Sequence, residues 1–388
     1  MGKKILVLGI LCVLMFVMIL PKVYATESKE LTGAVQITSD SITELNPCLF
    51  QDSDGKYWVA WHSDKDDDDN KEIWISSSTD GVSWQTPAEI IDLPHGYDAE
   101  KPCLAQDHSG TYWLVWERWT PDWWTDIMIS SSQDGKNWGN PVQITTTITS
   151  DIEENKMPSL CIDSNGKFWV AWASYRSGMD ATIWVKSSVD GINWGSWETD
   201  IQVTTTDGLY PSIIQDNNRE YMIAYHDPGD GIWLVKSSDG ITWGQPTKIV
   251  EGSYYMPSLL QDSAGTYWVT YNTIKLPSGD VFISSSIDGV NWSSPKRITT
   301  YDGLDWQASI IQSSSDVYKI VWSSKKGGNQ DIWIGDYKAV SGTENDGGES
   351  NNSEKEQPKG FIPSFESTYL LAIIGICAML FKVWKKEH

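Results

Sequence analysis

The chain has 388 residues, a formal net charge of −23 and only 29 Lys and Arg against 52 Asp and Glu. That balance excludes a phosphate-driven nucleic-acid binder, whose affinity comes from Lys and Arg, and it disfavours polyanionic glycans. Trp is unusually frequent at 23 residues, while His is scarce at five.

The first element is MGKKILVLGILCVLMFVMILPKVYA, with Lys3 and Lys4 before an apolar run and small residues ending at Ala25. It reads as a secretory signal over residues 1–25. From residue 26 to 340 one pattern repeats. Each unit opens on a Pro-small-apolar segment: PCLFQD (47), PCLAQD (102), PSLCID (158), PSIIQD (211), PSLLQD (257) and, without Pro, ASIIQS (308). A polar turn precedes a strand of alternating bulky residues such as YWVAW (57) or YWLVW (112). A variable loop then leads to a third strand such as EIWISSS, and a Ser-x-Asp-Gly-x-x-Trp box leads to a fourth such as PVQITTT. Four short β-rich runs per unit of about fifty residues predict an all-β, six-bladed β-propeller with four-stranded blades. The sixth unit stops after DIWIGDYKAV, and TGAVQITSD (32–40) matches the missing fourth strand. The N-terminal strand is therefore expected to close the last blade and leave no open edge.

The box occurs five times: Ser78, Asp80, Gly81, Trp84; Ser132, Asp134, Gly135, Trp138; Ser188, Asp190, Gly191, Trp194; Ser237, Asp239, Gly240, Trp243; and Ser286, Asp288, Gly289, Trp292. Each Asp accepts bonds from turn amides, each Gly allows positive φ, and each Trp buries a large face. Five copies mean scaffold, not catalysis.

After the propeller, SGTENDGGESNNSEKEQPKG has almost no apolar side chains. Residues 341–360 read as a solvated acidic stalk, 361–384 as a transmembrane anchor, and 385–388 as a cytoplasmic tail after Lys382, Lys385 and Lys386. The stalk, the GFIPSFE stretch and the apolar run resemble the C-terminal sorting tails of archaeal surface proteins, which implies that the tail can be cut and replaced by a lipid. The protein is expected at the extracellular face of the cell membrane. Outside the signal and anchor, Cys48, Cys103 and Cys161 remain. Cys48 and Cys103 share one repeat position, so either a bridge between adjacent inner strands or three small buried thiols fits.

The box resembles the Asp box of the sialidase (neuraminidase) superfamily, one residue shorter than Ser-x-Asp-x-Gly-x-Thr-Trp. The resemblance covers residues 32–340 and implies a six-bladed propeller with its boxes opposite the ligand site. It also implies an active site of three Arg, a Tyr nucleophile backed by Glu, and an Asp acid/base. This sequence departs from that pattern. It has no Arg-Ile-Pro motif, and its four Arg are Arg118, Arg176, Arg219 and Arg297. Only Arg118 and Arg176 follow a second strand toward the ligand face, so no triad assembles.

The face opposite the boxes collects the least repetitive segments, where a rigid scaffold carries function. Candidate ligand-binding residues there are Asp98, Glu100, Arg118, Trp119, Asp122, Trp123, Trp124, Glu153, Glu154, Arg176, Tyr210, His226, Asp227, Tyr254, Asp305 and Trp306. Aromatic faces beside carboxylates suit neutral sugars, and WTPDWW is the leading segment. The reading is a surface-anchored propeller that binds glycans or glycoproteins. An exo-glycosidase on the same fold is the second reading; it needs two carboxyls about 5–9.5 Å apart among Asp98, Glu100, Glu153, Glu154, Asp207, Asp227 and Asp305. A protein-binding envelope propeller is the third. No cofactor is expected. The acidic run 64–72 is a candidate Ca²⁺ loop, but its sixth position is Asp69 rather than Gly and its twelfth Ile75 rather than Glu, so a solvated loop is the alternative.

Overall fold

The computed structural model describes residues 31–64, 70–145, 154–176, 178, 180–273, 278–301 and 303–339. The signal, stalk and anchor segments lie outside them. No helix among the described residues is long and apolar enough to cross a membrane.

Six antiparallel four-stranded sheets form the blades. The first comprises β2 (Glu44–Gln51), β3 (Tyr57–Ser63), β4 (Glu72–Ser78) and β5 (Ala88–Ile91). The second comprises β6 (Asp98–Gln106), β7 (Tyr112–Trp119), β8 (Thr125–Ser132) and β9 (Val142–Gln143). The third holds β10 (Asn155–Ile162), β11 (Phe168–Ser174), β12 (Thr182–Ser188) and β13 (Ile201–Gln202). The fourth holds β14 (Leu209–Gln215), β15 (Tyr221–Asp227), β16 (Gly231–Ser237) and β17 (Thr247–Glu251). The fifth holds β18 (Tyr255–Gln261), β19 (Tyr267–Asn272), β20 (Val281–Ser286) and β21 (Lys296–Arg297). The sixth runs β22 (Asp305–Ser314), β23 (Val317–Ser324), β24 (Asp331–Lys338) and then β1 (Thr32–Gln36).

Closure is as the repeat predicts. Val35 pairs with Ile334 and Gln36 with Trp333, and the Ile37 N–H donates to the Ile332 carbonyl at 2.7 Å. Bulky second-strand residues fill the spaces between neighbouring sheets, as with fully buried Trp61, Trp116 and Trp172.

The Pro-small-apolar segment explains itself in the inner strands. Each inner strand shifts register there. The preceding residues, Asn46, Lys101, Met157, Tyr210, Met256 and Gln307, all hold φ between +51° and +59°. Such a bulge leaves a residue unpaired, and Pro, lacking N–H, loses nothing by following it. The small residue after it accepts a backbone N–H from the next blade. Leu104 donates to Cys48 Sγ at 3.2 Å, Leu160 to Cys103 Sγ at 3.4 Å and Ile213 to Ser159 Oγ at 3.1 Å. Leu259 donates to Ser212 at 3.0 Å, Ile310 to Ser258 at 3.4 Å and Leu49 to Ser309 at 3.2 Å, so the ring is complete. The cysteines are thus free thiols that act as acceptors; of the two readings open from sequence, the structure takes the unbridged one.

A second set of bonds joins blades on the box side. Asp52 accepts from its own blade's Trp58 Nε1 and from the next blade's Tyr112 hydroxyl, each at 2.8 Å. Asp163 and Asp262 do the same with Tyr221 and Tyr318. The boxes close as expected: the Gly81 N–H donates to Ser78 Oγ at 2.8 Å, and the Val82 and Ser83 amides donate to Asp80 Oδ1 at 2.8 and 2.7 Å. Gly191 needs its positive φ of 71°, and a Cβ there would stand 2.7 Å from the Trp113 ring.

Candidate functional site

Every second strand runs from the box side toward the opposite face. One residue follows its last bulky aromatic: His62, Glu117, Ala173, His226, Asn272 or Ser323. In three blades this side chain captures the N–H freed by the next blade's bulge. Lys101 donates to His62 Nδ1 at 3.2 Å, Met157 to Glu117 Oε2 at 2.8 Å and Gln307 to Asn272 Oδ1 at 3.2 Å. The residues of the six bulges and the Pro and Cys or Ser positions after them line a central cavity of about 150 Å³.

One sector of the rim is strongly charged. Lys101 Nζ bonds Glu117 at 2.8 Å and reaches Glu100 at 3.4 Å. Trp119 Nε1 also donates to Glu117, at 2.8 Å. Lys71 pairs with Glu100 and approaches Asp98 at 3.9 Å. Lys156 pairs with Glu154 at 2.5 Å and lies 4.3 Å over the Trp119 ring. Burial opposes the charge on Glu100, but His62, Lys101 and Lys71 outweigh it and hold the carboxyl at about 2. Burial likewise opposes the Lys101 ammonium, and Glu117 and Glu100 raise its pKa above the ordinary value nonetheless. Burial, helped by Lys101 and Lys71 and opposed by Glu100, pushes His62 down to about 3, which suits an Nδ1 that accepts a backbone N–H.

Beside this sector lies a groove of about 390 Å³ between the β5–β6 crossing and the β7–β8 loop, walled by Asn70, His95, Asp98, Trp119, Pro121 and Trp123. Trp119 and Trp123 meet edge to face with centroids 6.4 Å apart. The loop is a tight turn: Trp123 N–H donates to the Thr120 carbonyl at 2.9 Å, and Trp123 itself has φ +67°. A bulky side chain in that conformation is an outlier. Here it leaves the indole 77 % exposed.

The structure therefore gathers Asp98, Glu100, Trp119 and Trp123 into one region, with Asp122 exposed and Trp124 half-buried on the same loop. Trp119 ends β7 rather than belonging to the loop. Tyr210 lines the central cavity and stacks on His226, which Tyr255 meets edge-on. Glu154 sits at the start of the third blade, bridging to Thr125. Other candidates serve the scaffold. Arg118 bonds Asp126 at 3.0 Å. Arg176 is nearly buried, bonds Asp200 at 2.8 Å and lies 4.4 Å over Trp184. Tyr254 packs against Tyr271 and Phe282. Asp227 stands at the end of β15, where burial and then Asp230 and Asp207 raise its pKa. Asp305 is buried between the fifth and sixth blades beside a pocket of about 100 Å³, and burial pushes its carboxyl up to about 6. Trp306 is half-buried on β22. Glu153 and residues 65–69 of the acidic run lie outside the described residues, so the Ca²⁺ reading does too. Among the described residues, no group of three or more His, Cys, Asp or Glu is placed to hold a metal.

Sequence reasoning missed Lys71, Lys101, Lys156, Asn70 and His95. The available signal was positional: Lys101 precedes a repeat proline, and Glu117 follows a repeat aromatic, where other units place unrelated residues.

Residues 55–318 match the BNR repeat-like domain family. No relative was found among curated proteins by sequence. Several solved structures share the fold. A Dyadobacter fermentans protein of unknown function has TM-score 0.68 at 16% identity, covering 80% of this chain and 99% of that one. A Hadza microbial sialidase has TM-score 0.61 at 16% identity, covering 76% of this chain and 66% of its own. A Penicillium chrysogenum α-L-arabinanase complexed with arabinobiose has TM-score 0.61 at 17% identity, covering 79% and 97%. With five Asp boxes, six four-stranded blades and this match over most of the ring, the chain belongs to the sialidase-like BNR repeat family.

Proposed function

We propose that this is a surface-anchored propeller that binds neutral glycans, free or on glycoproteins, in the Trp119–Trp123 groove opposite the Asp boxes. The observation that carries the reading is the groove itself: an exposed indole set edge-on to a second one, with Asp98, His95 and Asn70 along the wall. An indole takes the C–H face of a pyranose or furanose, and the polar wall takes its hydroxyls. Sugar-handling neighbours of the same fold, the sialidase and the arabinanase complexed with arabinobiose, support the ligand class.

Binding is favoured over hydrolysis because the carboxyls beside the groove are already engaged, whereas a glycosidase needs one free to donate a proton. Glu100 is held at about 2, Glu117 is bound to Lys101 and Trp119, and Asp98 and Glu154 face lysines. Secretion and C-terminal anchoring are supported by the N-terminal apolar run after Lys3 and Lys4, and by the apolar stretch before Lys382. On this reading the groove faces the outside of the cell.

A glycan array probed with residues 26–345 tests the reading. We expect selective binding that Trp123→Ala weakens roughly tenfold, the equivalent of about 1.4 kcal/mol, and no turnover of a chromogenic glycoside panel. Unchanged affinity in the Trp123→Ala protein would remove the groove from the account; turnover abolished by Glu100→Gln would replace binding with hydrolysis.

A further inference from the structure

The exposed large apolar side chains are not scattered. Among the described residues there are eight, and six stand at tips of box turns: Val82, Val189, Ile192, Ile241, Ile287 and Val290. A seventh, Trp197, lies in the connection that follows the third box. Only Trp123 is on the opposite face. The box does not require this. Its structure comes from the Ser, Asp and Gly bonds, and the variable positions between them point to solvent. Turn tips ordinarily take Gly, Asn, Asp, Ser or Pro, and β-branched aliphatics gain nothing there. Val189 and Ile287 are 78 and 86% exposed. An apolar array spread over blades one, three, four and five of one face marks an interaction surface.

The course of the chain identifies the occupant. β24 runs toward the box side, its last residue Lys338 pairing with Val317 at the start of β23. The Ala339 N–H then donates to the Asp316 carbonyl at 3.1 Å, in the β22–β23 turn. The polypeptide thus leaves the ring on the box face. Beyond it lie the polar stretch and the apolar run from Tyr369 to Phe381. Read as a solvated stalk, a chain of roughly thirty residues would span about 30 Å and hold a tethered face at millimolar effective concentration beside the bilayer. At that concentration weak apolar contacts suffice, and Trp197 is the residue type that settles at a lipid interface.

We propose that the Asp-box face rests on the bilayer surface, its aliphatic turn tips among the headgroups, so that the Trp119–Trp123 groove faces away from the membrane. This rests on the reading of residues 361–384 as an anchor. A strongly acidic protein would avoid anionic lipid, so a zwitterionic surface is the matching partner.

The test uses the full chain, with Cys12, Cys48, Cys103, Cys161 and Cys377 all replaced by Ser, reconstituted with phosphatidylcholine vesicles. A polarity-sensitive dye is placed at Ile287→Cys in one sample and at Asp122→Cys in another. We expect both proteins to float with vesicles, the dye at 287 to shift to the blue and be quenched by lipid-borne quencher, and the dye at 122 to stay aqueous. In the Ile287→Cys protein, Ile241→Ser, Val189→Ser and Val290→Ser together should abolish the shift and leave flotation intact. Flotation with an aqueous signal at 287 overturns the docked face while leaving the anchor standing. Failure to float removes the anchor and the docking together. A blue shift that grows with protein concentration at fixed detergent, without vesicles, assigns the face to a second copy instead, and overturns the proposal equally.

Discussion

At the scale of single residues, the rim of the channel is a set of buried charges that must be satisfied together. Glu117 is wholly buried, with Lys101, Trp119 and the Met157 N–H as its donors. Removing the cation leaves a buried carboxylate without its counter-charge, a change that costs about 3–5 kcal/mol. Lys101→Met should lower stability by that amount in urea titrations, and adding Glu117→Gln should recover much of it. The acid side follows from two groups. Glu100, held at about 2, stabilises the fold fully above its unfolded value of 4.5 and loses that contribution as pH falls through 2. His62, depressed by burial to about 3, binds its proton more readily when unfolded, so stability also falls from pH 6.5 downward. Asp305 acts oppositely. Burial raises it from 3.8 to about 6, so its contribution is fully present below 3.8 and lost as pH rises through 6. Asp305→Asn should therefore stabilise the protein at pH 8 by about 2–3 kcal/mol and change little at pH 4. Melting curves at the two pH values check the sign.

At the scale of elements, each turn and bulge is built by contacts with the neighbouring blade. Gly191 at φ +71° carries no side chain because the Trp113 ring of the second blade occupies the space. Gly191→Ala incurs both the left-handed penalty and an overpacked contact, about 2–4 kcal/mol in all, and a chemical melt should show it. An unchanged midpoint would mean that the box turn tolerates a Cβ and that Trp113 yields. The strands and boxes were legible because their physics is local: alternation in YWVAW, and a Gly two positions after a repeat Ser–x pair. The bulges were not. Asn46, Lys101, Met157, Tyr210, Met256 and Gln307 share a backbone conformation but no side-chain chemistry, and at Asn46, Lys101, Met157 and Gln307 the freed N–H bonds a side chain of the adjoining blade. Even Gln307 adopts it with Ala308 in place of Pro. The groove was half legible for the same reason. Trp123 stands out within one loop, whereas the meeting of Lys71 with Glu100 depends on how two blades pack.

At the scale of the whole molecule, the ring holds because the chain's beginning is needed at its end. β24 would otherwise present an open edge along Ile332 and Ile334, and β1 supplies the ladder. Val35 and Ile37 also pack onto the cluster of Leu49, Val59, Trp61 and Val321, which joins the last blade to the first. The pairing of β24 with β1 is where the six-membered ring has least redundancy, since these neighbours are joined by no direct covalent connection. Deleting Thr32–Thr38 should therefore cost more than its few contacts suggest. Two half-buried aliphatics and a strand's hydrogen bonds account for on the order of 3–5 kcal/mol, and the bared edge adds a tendency to self-associate. The truncated propeller should melt earlier and elute partly as aggregates. Supplying a peptide of residues 31–40 in trans should raise the melting temperature and restore the monomer, because the edge accepts a strand by main-chain bonding alone. A truncated ring that melts with the intact one would show that the six blades hold by lateral packing, and that closure by β1 is ornamental to stability.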